Sequence, residues 1–191
     1  YSTTYFNGYT LTNIVTPTNF TNDVEPNNTY ATATVTVPEN GSVNGHIGHR
    51  NNGGTYDTDD WYILNMSQDG QLQLNLTQGA GIYHGVYIYD NDGTTLLASN
   101  FDYSAVSTVK YNLSAGTYYA KVDNYSTSYY SGYTLEFVAT PTAYASDVEP
   151  NEIYSEATVS IPLGGTVNGH IGFYRNGGTY DTDDWYKLTT T

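Results

Sequence analysis

Apolar and polar residues alternate along much of this chain, and that alternation predicts β-strands. The clearest run is 71–76, where leucine occupies every second position, as in a strand with one buried face. No stretch shows the 3.6-residue period of an amphipathic helix. Short strands are predicted at 32–37, 42–47, 61–64, 71–76, 86–89, 95–99, 109–113, 117–122 and 133–138. Many short strands between Gly, Asn and Asp turns predict an all-β fold, an antiparallel, jelly-roll-like β-sandwich.

One long internal repeat organises the sequence. Residues 1–67 align without a gap on residues 125–191, at an offset of 124 positions, with 40 identities in 67. A period of 124 residues is the size of a whole domain, so we expect modules in tandem. Two Thr-Pro-Thr segments, 16–18 and 140–142, follow strand-like stretches and are interpreted as the joints between modules.

These joints divide the chain into three parts. Residues 1–18 are predicted to be the last strand of a preceding module, residues 19–142 a complete module, and residues 143–191 the N-terminal part of the next. An incomplete module exposes strand edges, and a strand from another chain can satisfy their hydrogen bonds. We therefore expect neighbouring copies of the protein to form a head-to-tail array or filament, with strand complementation as one route of assembly.

Composition excludes several classes of function. The chain has 5 Lys and Arg residues against 19 Asp and Glu, a net charge of −14, which disfavours nucleic acid as a partner. The absence of cysteine excludes disulfides, thiolate metal sites and a cysteine nucleophile. No apolar run reaches the roughly 18 residues of a membrane span. The aromatic content of 15% supplies enough apolar surface for a packed core.

Two acidic motifs occur in both repeats and contain 11 of the 19 acids. The first begins Asp-Val-Glu-Pro-Asn and spans 23–28 and 147–152, where it ends in Asn28 and Glu152, and the second is Asp-Thr-Asp-Asp-Trp-Tyr at 57–62 and 181–186. Loop carboxylates and amide oxygens that converge on one point bind hard cations, and Ca²⁺ suits them better than the stricter Mg²⁺. Such residues are also common in polar turns. Repetition of both motifs favours a cation site, because unneutralised carboxylates so close together would repel each other.

The order and spacing of these motifs resemble the bacterial pre-peptidase C-terminal domain, whose fold group includes the collagen-binding domains of clostridial collagenases. Besides the acidic motifs, the resemblance rests on Gly45-His46-Ile47, Val86-Tyr87-Ile88-Tyr89-Asp90, Leu113 to Tyr119 and Tyr133-Thr134-Leu135. It spans residues 19–142 and implies a secreted β-sandwich with calcium between the N-terminal acidic segment and the Asp-rich turn. Carried over by position, it implies two ligand sets: Asp23, Glu25, Asn27 and Asn28 facing Asp57 and Asp60, and Asp147, Glu149, Asn151 and Glu152 facing Asp181 and Asp184.

Catalytic chemistry has little support in the sequence, and we expect no enzyme activity. There is no Gly-x-Ser-x-Gly elbow or other Ser-His-Asp arrangement. His46 and His170 align with each other on an apparent strand and are interpreted as hydrogen-bonded structural residues. Acidic pairs in a Gly-rich turn beside asparagines fit a cation better than a pair with tuned pKa values.

The 22 tyrosines and the asparagine sequons suggest what the surface carries. The tyrosines either form an aromatic surface for a polysaccharide or fibrous protein, or stabilise strands through cross-strand pairs. Candidates for such a ligand surface are Tyr87, Tyr89, Tyr118 and Tyr129. Candidate glycosylation sites are Asn19, Asn40, Asn65, Asn75, Asn112 and Asn124.

Two functions follow from these patterns. One is a structural repeat of an extracellular or cell-surface fibre or adhesin, stiffened by Ca²⁺ at the acidic motifs near the module joints. The other is a collagen- or polysaccharide-binding accessory module of a secreted hydrolase.

Overall fold

The computed structural model describes residues 10–13, 20, 22–50, 53–79, 83–125, 131–142 and 144–189. Within them, strands β1 to β9 form two facing sheets of one sandwich. Their bounds are β1 (Thr36–Val37), β2 (Gly41–Ile47), β3 (Asp59–Met66), β4 (Gly70–Gln78), β5 (His84–Tyr89), β6 (Leu96–Asp102), β7 (Val106–Leu113), β8 (Gly116–Asn124) and β9 (Ser131–Pro141). One sheet has the order β1-β3-β8-β5-β6 and the other contains the order β7-β4-β9-β2. The eight strands β2 to β9 thus have the strand order of a jelly roll, so the predicted fold class is confirmed.

The core lies between the two sheets and uses the alternation seen in the sequence. Leu72, Leu74 and Leu76 of β4 are fully buried, whereas the polar residues between them face outward. Val86 and Ile88 of β5 meet them from the opposite sheet. Each fully buried aliphatic side chain contributes roughly 1.5–3 kcal/mol of burial free energy.

The structure departs from the predicted strands near the N-terminus of the module. Residues 32–37 were expected to form one strand, but only Thr36–Val37 does so, and Tyr30–Thr32 forms a single 3₁₀ turn. The Thr32 hydroxyl donates to the Thr29 carbonyl at 2.9 Å, and this local bond competes with strand pairing. Strand β1 pairs in parallel with β3, so the sheets are mixed and not purely antiparallel.

The second repeat forms four short strands, β10 (Ser160–Ile161), β11 (Tyr174–Arg175), β12 (Thr179–Tyr180) and β13 (Lys187–Leu188). The β11–β12 hairpin extends the sheet of the first module, because β11 pairs with the edge strand β7 at Leu113. Strands β10 and β13 pair with each other in parallel, as β1 and β3 do at the aligned positions. Two aligned pairs differ strongly in exposure, since Ile47 and Leu64 are 0% exposed while Ile171 and Leu188 are 62% and 75% exposed.

The first part of the chain does not test its predicted role. Residues 10–13 belong to no strand, and residues 1–9 and 14–18 lie outside the described residues. That residues 1–18 complete another module therefore stays a prediction. Among the described residues, no helix has the length and apolar character needed to span a membrane.

Candidate metal centres

In the first repeat, Asp23 organises the N-terminal acidic segment. Its Oδ2 accepts the backbone N–H of His46 at 3.1 Å and lies 2.5 Å from the ring Nδ1 of the same histidine. Its Oδ1 accepts the side-chain amide of Asn27 at 3.4 Å, and the backbone N–H of Asn27 donates to Glu25 Oε2 at 3.0 Å. Because His46 belongs to β2, these bonds tie the segment to the edge of the second sheet.

The Asp-rich turn brings two fully buried carboxylates, Asp57 and Asp60, against this segment. Tyr133 of β9 donates its hydroxyl to Asp60 Oδ2 at 2.5 Å, and the Tyr133 and Tyr62 hydroxyls are 2.6 Å apart. Gly45 makes room for this pair, since a Cβ there would lie 2.4 Å from the Tyr133 hydroxyl oxygen. The position of Asp60 is thus fixed from the core side by two strands of opposite sheets.

We call the six predicted ligands of the first repeat, Asp23, Glu25, Asn27, Asn28, Asp57 and Asp60, the first cluster. Asp23, Glu25 and Asp60 each offer a carboxylate oxygen within 4.8 Å of the others. Asn28 donates its amide to Asp57 Oδ1 at 3.1 Å. Three buried oxygens find no hydrogen-bond donor among the described residues: Asn27 Oδ1, Asp57 Oδ2 and Asp60 Oδ1. The cluster therefore contains buried carboxylate and amide oxygens that could serve as ligands.

The first cluster holds buried carboxylates that have no Lys or Arg as an ion-pair partner among the described residues. Burial, reinforced by the charges of Glu25 and Asp23, raises the pKa of Asp57 to about 8. Burial and the neighbouring Asp57 also raise the pKa of Asp60 well above its usual range. Among the described residues, no Lys or Arg forms an ion pair with the cluster. A buried group of carboxylates without a counter-ion is costly, and a bound cation would remove that cost.

The second repeat builds the same arrangement from Asp147, Glu149, Asn151, Glu152, Asp181 and Asp184, the second cluster. Asp147 Oδ2 accepts the backbone N–H of His170 at 3.0 Å, and Asp147 Oδ1 accepts the Asn151 amide at 3.3 Å. The backbone N–H of Asn151 donates to Glu149 Oε2 at 3.1 Å. Within the described part of the chain, three buried oxygens without a hydrogen-bond donor recur at aligned positions, Asn151 Oδ1, Asp181 Oδ2 and Asp184 Oδ1, and Glu149 Oε1 joins them in this repeat.

The second cluster differs from the first in holding an arginine. The Nη2 of Arg175 donates to Glu149 Oε2 at 2.5 Å, lies 3.4 Å from Asp181 Oδ1 and contacts Glu152 Oε1. Burial, the largest cause, and the charge of Asp184 raise the pKa of Asp181 to about 6, and the charge of Arg175 opposes this rise. The residue aligned with Arg175 in the first repeat is Asn51.

Arg175 also lies at the contact between the two repeats, because it belongs to the β11–β12 hairpin. On one side of it, Tyr174 donates its hydroxyl to Asp90 Oδ2 at 3.1 Å. On the other side, Asn176 donates its side-chain amide to the Thr117 carbonyl at 3.1 Å. A cleft of about 330 Å³ between the repeats is lined by residues of both, including Asp69, Ala115, Pro150, His170 and Asp181.

The structure therefore brings together all six predicted ligands in each repeat, and their carboxylate and amide oxygens are of the kind that Ca²⁺ prefers. That an ion binds there stays a prediction. Sequence reasoning missed the two residues that position or neutralise the clusters, Tyr133 and Arg175. Arg175 has a signal in the alignment of the repeats, since Glu152 and Arg175 replace Asn28 and Asn51 together and their charges cancel.

The histidines lie beside the clusters. His46 contacts Asp23, and His170 contacts the aligned Asp147, in agreement with the structural role expected of these histidines. In the first repeat, His49 Nδ1 lies 3.4 Å from Asp57 Oδ2, so His46, His49 and Asp57 also offer a mixed nitrogen and oxygen set within 4.8 Å. Phe173 replaces His49 in the second repeat, so this mixed set is a feature of the first repeat.

The predicted tyrosine surface needs correction at one residue. Tyr118 is fully buried in the core, where its hydroxyl donates to the Ser114 carbonyl at 3.0 Å, so it cannot contact a ligand. Tyr87 and Tyr89 are half-buried on the outer face of their sheet, and Tyr129 lies outside the described residues. Four aromatic rings in mutual contact, of which Tyr103 and Tyr125 are exposed, form a group that we call the tyrosine patch: Tyr83, Phe101, Tyr103 and Tyr125.

The candidate glycosylation sites differ in accessibility. Asn40, Asn65 and Asn112 are exposed and Asn75 is half-buried, and the side chains of Asn40 and Asn75 are hydrogen-bonded. Asn124 is only 8% exposed, so its amide is not presented for modification in the folded chain, and Asn19 lies outside the described residues.

No family model matches the sequence, and no curated protein matches it. Among solved structures, the chain is similar to the pre-peptidase C-terminal domain of a collagenase from Bacillus anthracis, with 17% identity and a TM-score of 0.44 over 52% of this chain and 89% of that one. It is also similar to the Yersinia pseudotuberculosis-derived mitogen, with 18% identity and a TM-score of 0.40 over 60% of this chain and 97% of that one. At these values, a function for the chain has to be argued from its own geometry.

Proposed function

We propose that this chain is a non-enzymatic structural repeat of an extracellular or cell-surface fibre or adhesin, stiffened by Ca²⁺ at its acidic clusters. The observation that carries the proposal is the β11–β12 hairpin, which joins the second cluster to the edge of the preceding module. An acidic cluster at this place can control how one module is held against the next.

The β11–β12 hairpin connects the second cluster to the first module through specific contacts. Its backbone and side chains hold the first module through Tyr174, Asn176 and Tyr180, the last by a 2.6 Å contact between its hydroxyl and that of Tyr111. Arg175, between the first two, is held by the cluster. A change in the cluster therefore acts on the residues that fix the orientation of the modules.

Calcium would act most directly in the first cluster. The buried oxygens of Asn27, Asp57 and Asp60 that lack donors there are the ligands it would take, together with Asp23 and Glu25. The ion would supply positive charge and oxygen coordination, and would cross-link the N-terminal acidic segment to the Asp-rich turn.

The test is thermal unfolding of the protein with added Ca²⁺ and with EDTA, combined with small-angle X-ray scattering. We expect Ca²⁺ to raise the melting temperature, because a ligand that binds only the folded state stabilises it. EDTA should lower it again. A melting curve that is the same in both conditions contradicts the calcium proposal.

Assembly through strand complementation is the finer part of the proposal, with residues 1–18 of one chain completing another chain's second repeat. Imaging of the purified protein tests it: filaments with an axial repeat of one module support assembly, and deletion of residues 1–18 should abolish them. Monodisperse single particles at high concentration contradict it.

The tyrosine patch favours a second candidate function, an accessory module that binds collagen or a polysaccharide. Tyr103 and Tyr125 are 70% and 75% exposed, and the rings of Tyr83 and Tyr103 stack at 4.3 Å. Exposed rings of this kind suit stacking on sugar rings or on a fibrous protein. Pull-down on insoluble collagen and on polysaccharides should lose binding in Tyr103→Ala/Tyr125→Ala, while Tyr154→Ala, also at an exposed position, serves as the control.

A further inference from the structure

Both repeats form a hairpin at the same place, and that of the second repeat is docked on the first module. In the first repeat, Arg50 and Tyr56 form the antiparallel bridge that aligns with the pairing of β11 and β12. Backbone bonds of 2.8 and 2.9 Å at Asp57 close its base, and two bonds of 2.8 Å at the aligned Asp181 close that of the β11–β12 hairpin. We call residues 50–56 the first hairpin, of which the structure describes 50 and 53–56.

Three side chains dock the β11–β12 hairpin, and two of them recur in the first hairpin. Asn176 bonds the start of β8 and the Tyr180 hydroxyl lies 2.6 Å from a hydroxyl of β7. They align with Asn52 and Tyr56, and the two glycines and the threonine between them are also identical. The first hairpin therefore carries the residue types that the docked hairpin uses.

The third docking position changes from Tyr174 to Arg50, and the new residue still suits the same partner. Tyr174 donates its hydroxyl to Asp90 Oδ2 at 3.1 Å, and Asp90 is a buried acid. A guanidinium brings a positive charge and several donors, so it bonds a carboxylate more strongly than a neutral hydroxyl does. Arg50 is exposed and Tyr56 is 42% exposed, so both side chains can reach another module.

We propose that the first hairpin is a docking surface for the β7 edge of a second copy of this module. The β11–β12 hairpin shows how that edge receives it, because β11 pairs in parallel with β7 at Leu113 and the Ser114 N–H donates to the Tyr174 carbonyl at 3.0 Å. Each module of an array then holds the one before it by the same contact. This inference deepens the proposed fibre function and rests on it, but it requires neither calcium nor residues 1–18.

The segment 19–142 tests the proposal, because it contains the first hairpin and leaves β7 uncovered. Apart from Tyr174, the buried residues of the core cluster lie between Val37 and Ala139, so this segment retains the core of the module. We expect its NMR amide resonances to shift with concentration at 50–56 and 106–117, up to about 1 mM, the effective concentration that a short linker provides. Unchanged resonances, or shifts confined to other regions, overturn the inference.

The 191-residue chain supplies the control and a second variant. Its own β11–β12 hairpin covers β7, so the resonances at 106–117 should not shift with concentration. Asn176→Ala/Tyr180→Ala weakens that cover and leaves the first hairpin intact, so the shifts at 50–56 and 106–117 should appear. Circular dichroism shows whether each protein folds, and a folded variant without these shifts contradicts the docking.

Substitutions in the first hairpin of the segment 19–142 identify the contact. Arg50→Glu places an acid against Asp90 and should abolish association, whereas Arg50→Tyr has the residue of the docked hairpin and should retain it. Tyr56→Phe removes the hydroxyl that meets Tyr111 and should raise the dissociation constant roughly fivefold. Tyr125→Phe, at an exposed position after β8 of the opposite sheet, should leave it unchanged. Association of Arg50→Glu with wild-type affinity overturns the inference.

The inference and the proposed function fail in different ways. If 19–142 associates as described but neither EDTA nor deletion of residues 1–18 affects the 191-residue chain, hairpin docking is supported, and the calcium and strand parts of the proposed function are wrong. If 19–142 stays monomeric while the 191-residue chain forms filaments that depend on residues 1–18, the fibre function is supported and hairpin docking is wrong.

Discussion

The first and second clusters hold aligned carboxylates in different surroundings. Asp57 and Asp181 are both buried, at 0% and 2% exposure, yet burial and neighbouring acids raise the pKa of Asp57 to about 8 and that of Asp181 only to about 6. Burial is the largest cause of both shifts and is stronger for Asp57, which is surrounded by more protein, and Arg175 opposes the rise at Asp181. Two segments with 40 identities in 67 positions can therefore present the same carboxylates in different charge environments.

A counter-ion would act on different parts of the structure in the two clusters. In the first cluster, it would link the N-terminal acidic segment to β3 within one module. In the second, Arg175 lies between two residues that bond the preceding module, so the charges of this cluster are also linked to a joint.

The largest expected effect comes from removing one carboxylate of the first cluster. Asp60→Asn should abolish the stabilisation by Ca²⁺, which amounts to about 4 kcal/mol when the free ion is a thousandfold above its dissociation constant. Unfolding in urea with and without Ca²⁺ measures it. Asp183→Asn, whose exposed side chain belongs to neither cluster, is the control and should leave the calcium effect intact. Equal loss in both variants would contradict calcium binding through Asp60.

Acid pH should remove a contribution to stability at His84, which has no aligned counterpart among the second-repeat residues of this chain. Burial lowers the pKa of His84 to about 4, below its usual 6.5. Between these values the unfolded chain takes up a proton at His84 that the folded chain does not, so the contribution of His84 to stability is full above pH 6.5 and is lost as the pH drops towards 4. The loss is at most about 3 kcal/mol.

Urea unfolding of wild type and His84→Leu across this pH range measures the effect. The difference between the two proteins isolates His84, because the carboxylates of both clusters contribute equally to each. A difference that stays constant with pH would mean that His84 does not remain neutral in the folded chain.

The hydrogen bond to Asp60 provides the next test. Tyr133→Phe removes a 2.5 Å donor from a buried carboxylate, and we expect it to cost about 2 kcal/mol of unfolding free energy. In the second repeat, Tyr186 bonds Asp184 but is partly exposed, so water can replace it and Tyr186→Phe should cost under about 1 kcal/mol. Urea unfolding of both variants measures the pair, and equal costs would contradict the difference in shielding.

The fold was largely predictable because burial follows local alternation. The leucines of 71–76 alternate, and all three are in the core. The strand expected at 32–37 was too long, because the Thr29 and Thr32 side chains form a local turn that alternation does not reveal. The docking of the β11–β12 hairpin on β7 could not be predicted, since contacts such as that between Asn176 and Thr117 join residues far apart in sequence.

The candidate site was predictable only in part, for a related reason. The ligand residues were found because both motifs recur and resemble a known pattern. Tyr133 contributes through a bond that crosses from one sheet to the other, and its pattern in the sequence is that of an ordinary strand residue. Only the paired change to Glu152 and Arg175 left a trace in the alignment of the repeats, and its meaning depended on seeing the two side chains in contact.

The smallest expected effect concerns the joint itself. Asn176→Ala removes the amide that bonds the Thr117 carbonyl, and we expect a local cost of about 1 kcal/mol with little change in global stability. Hydrogen exchange of the amides at 174–180 should accelerate roughly fivefold, because a local opening that costs less free energy is more populated. Thr182→Ala, which affects a hydroxyl bonded to Asp183 beyond the hairpin, should leave these amides unchanged. If Asn176→Ala also leaves them unchanged, the hairpin is held by the second cluster and not by its contact with the first module.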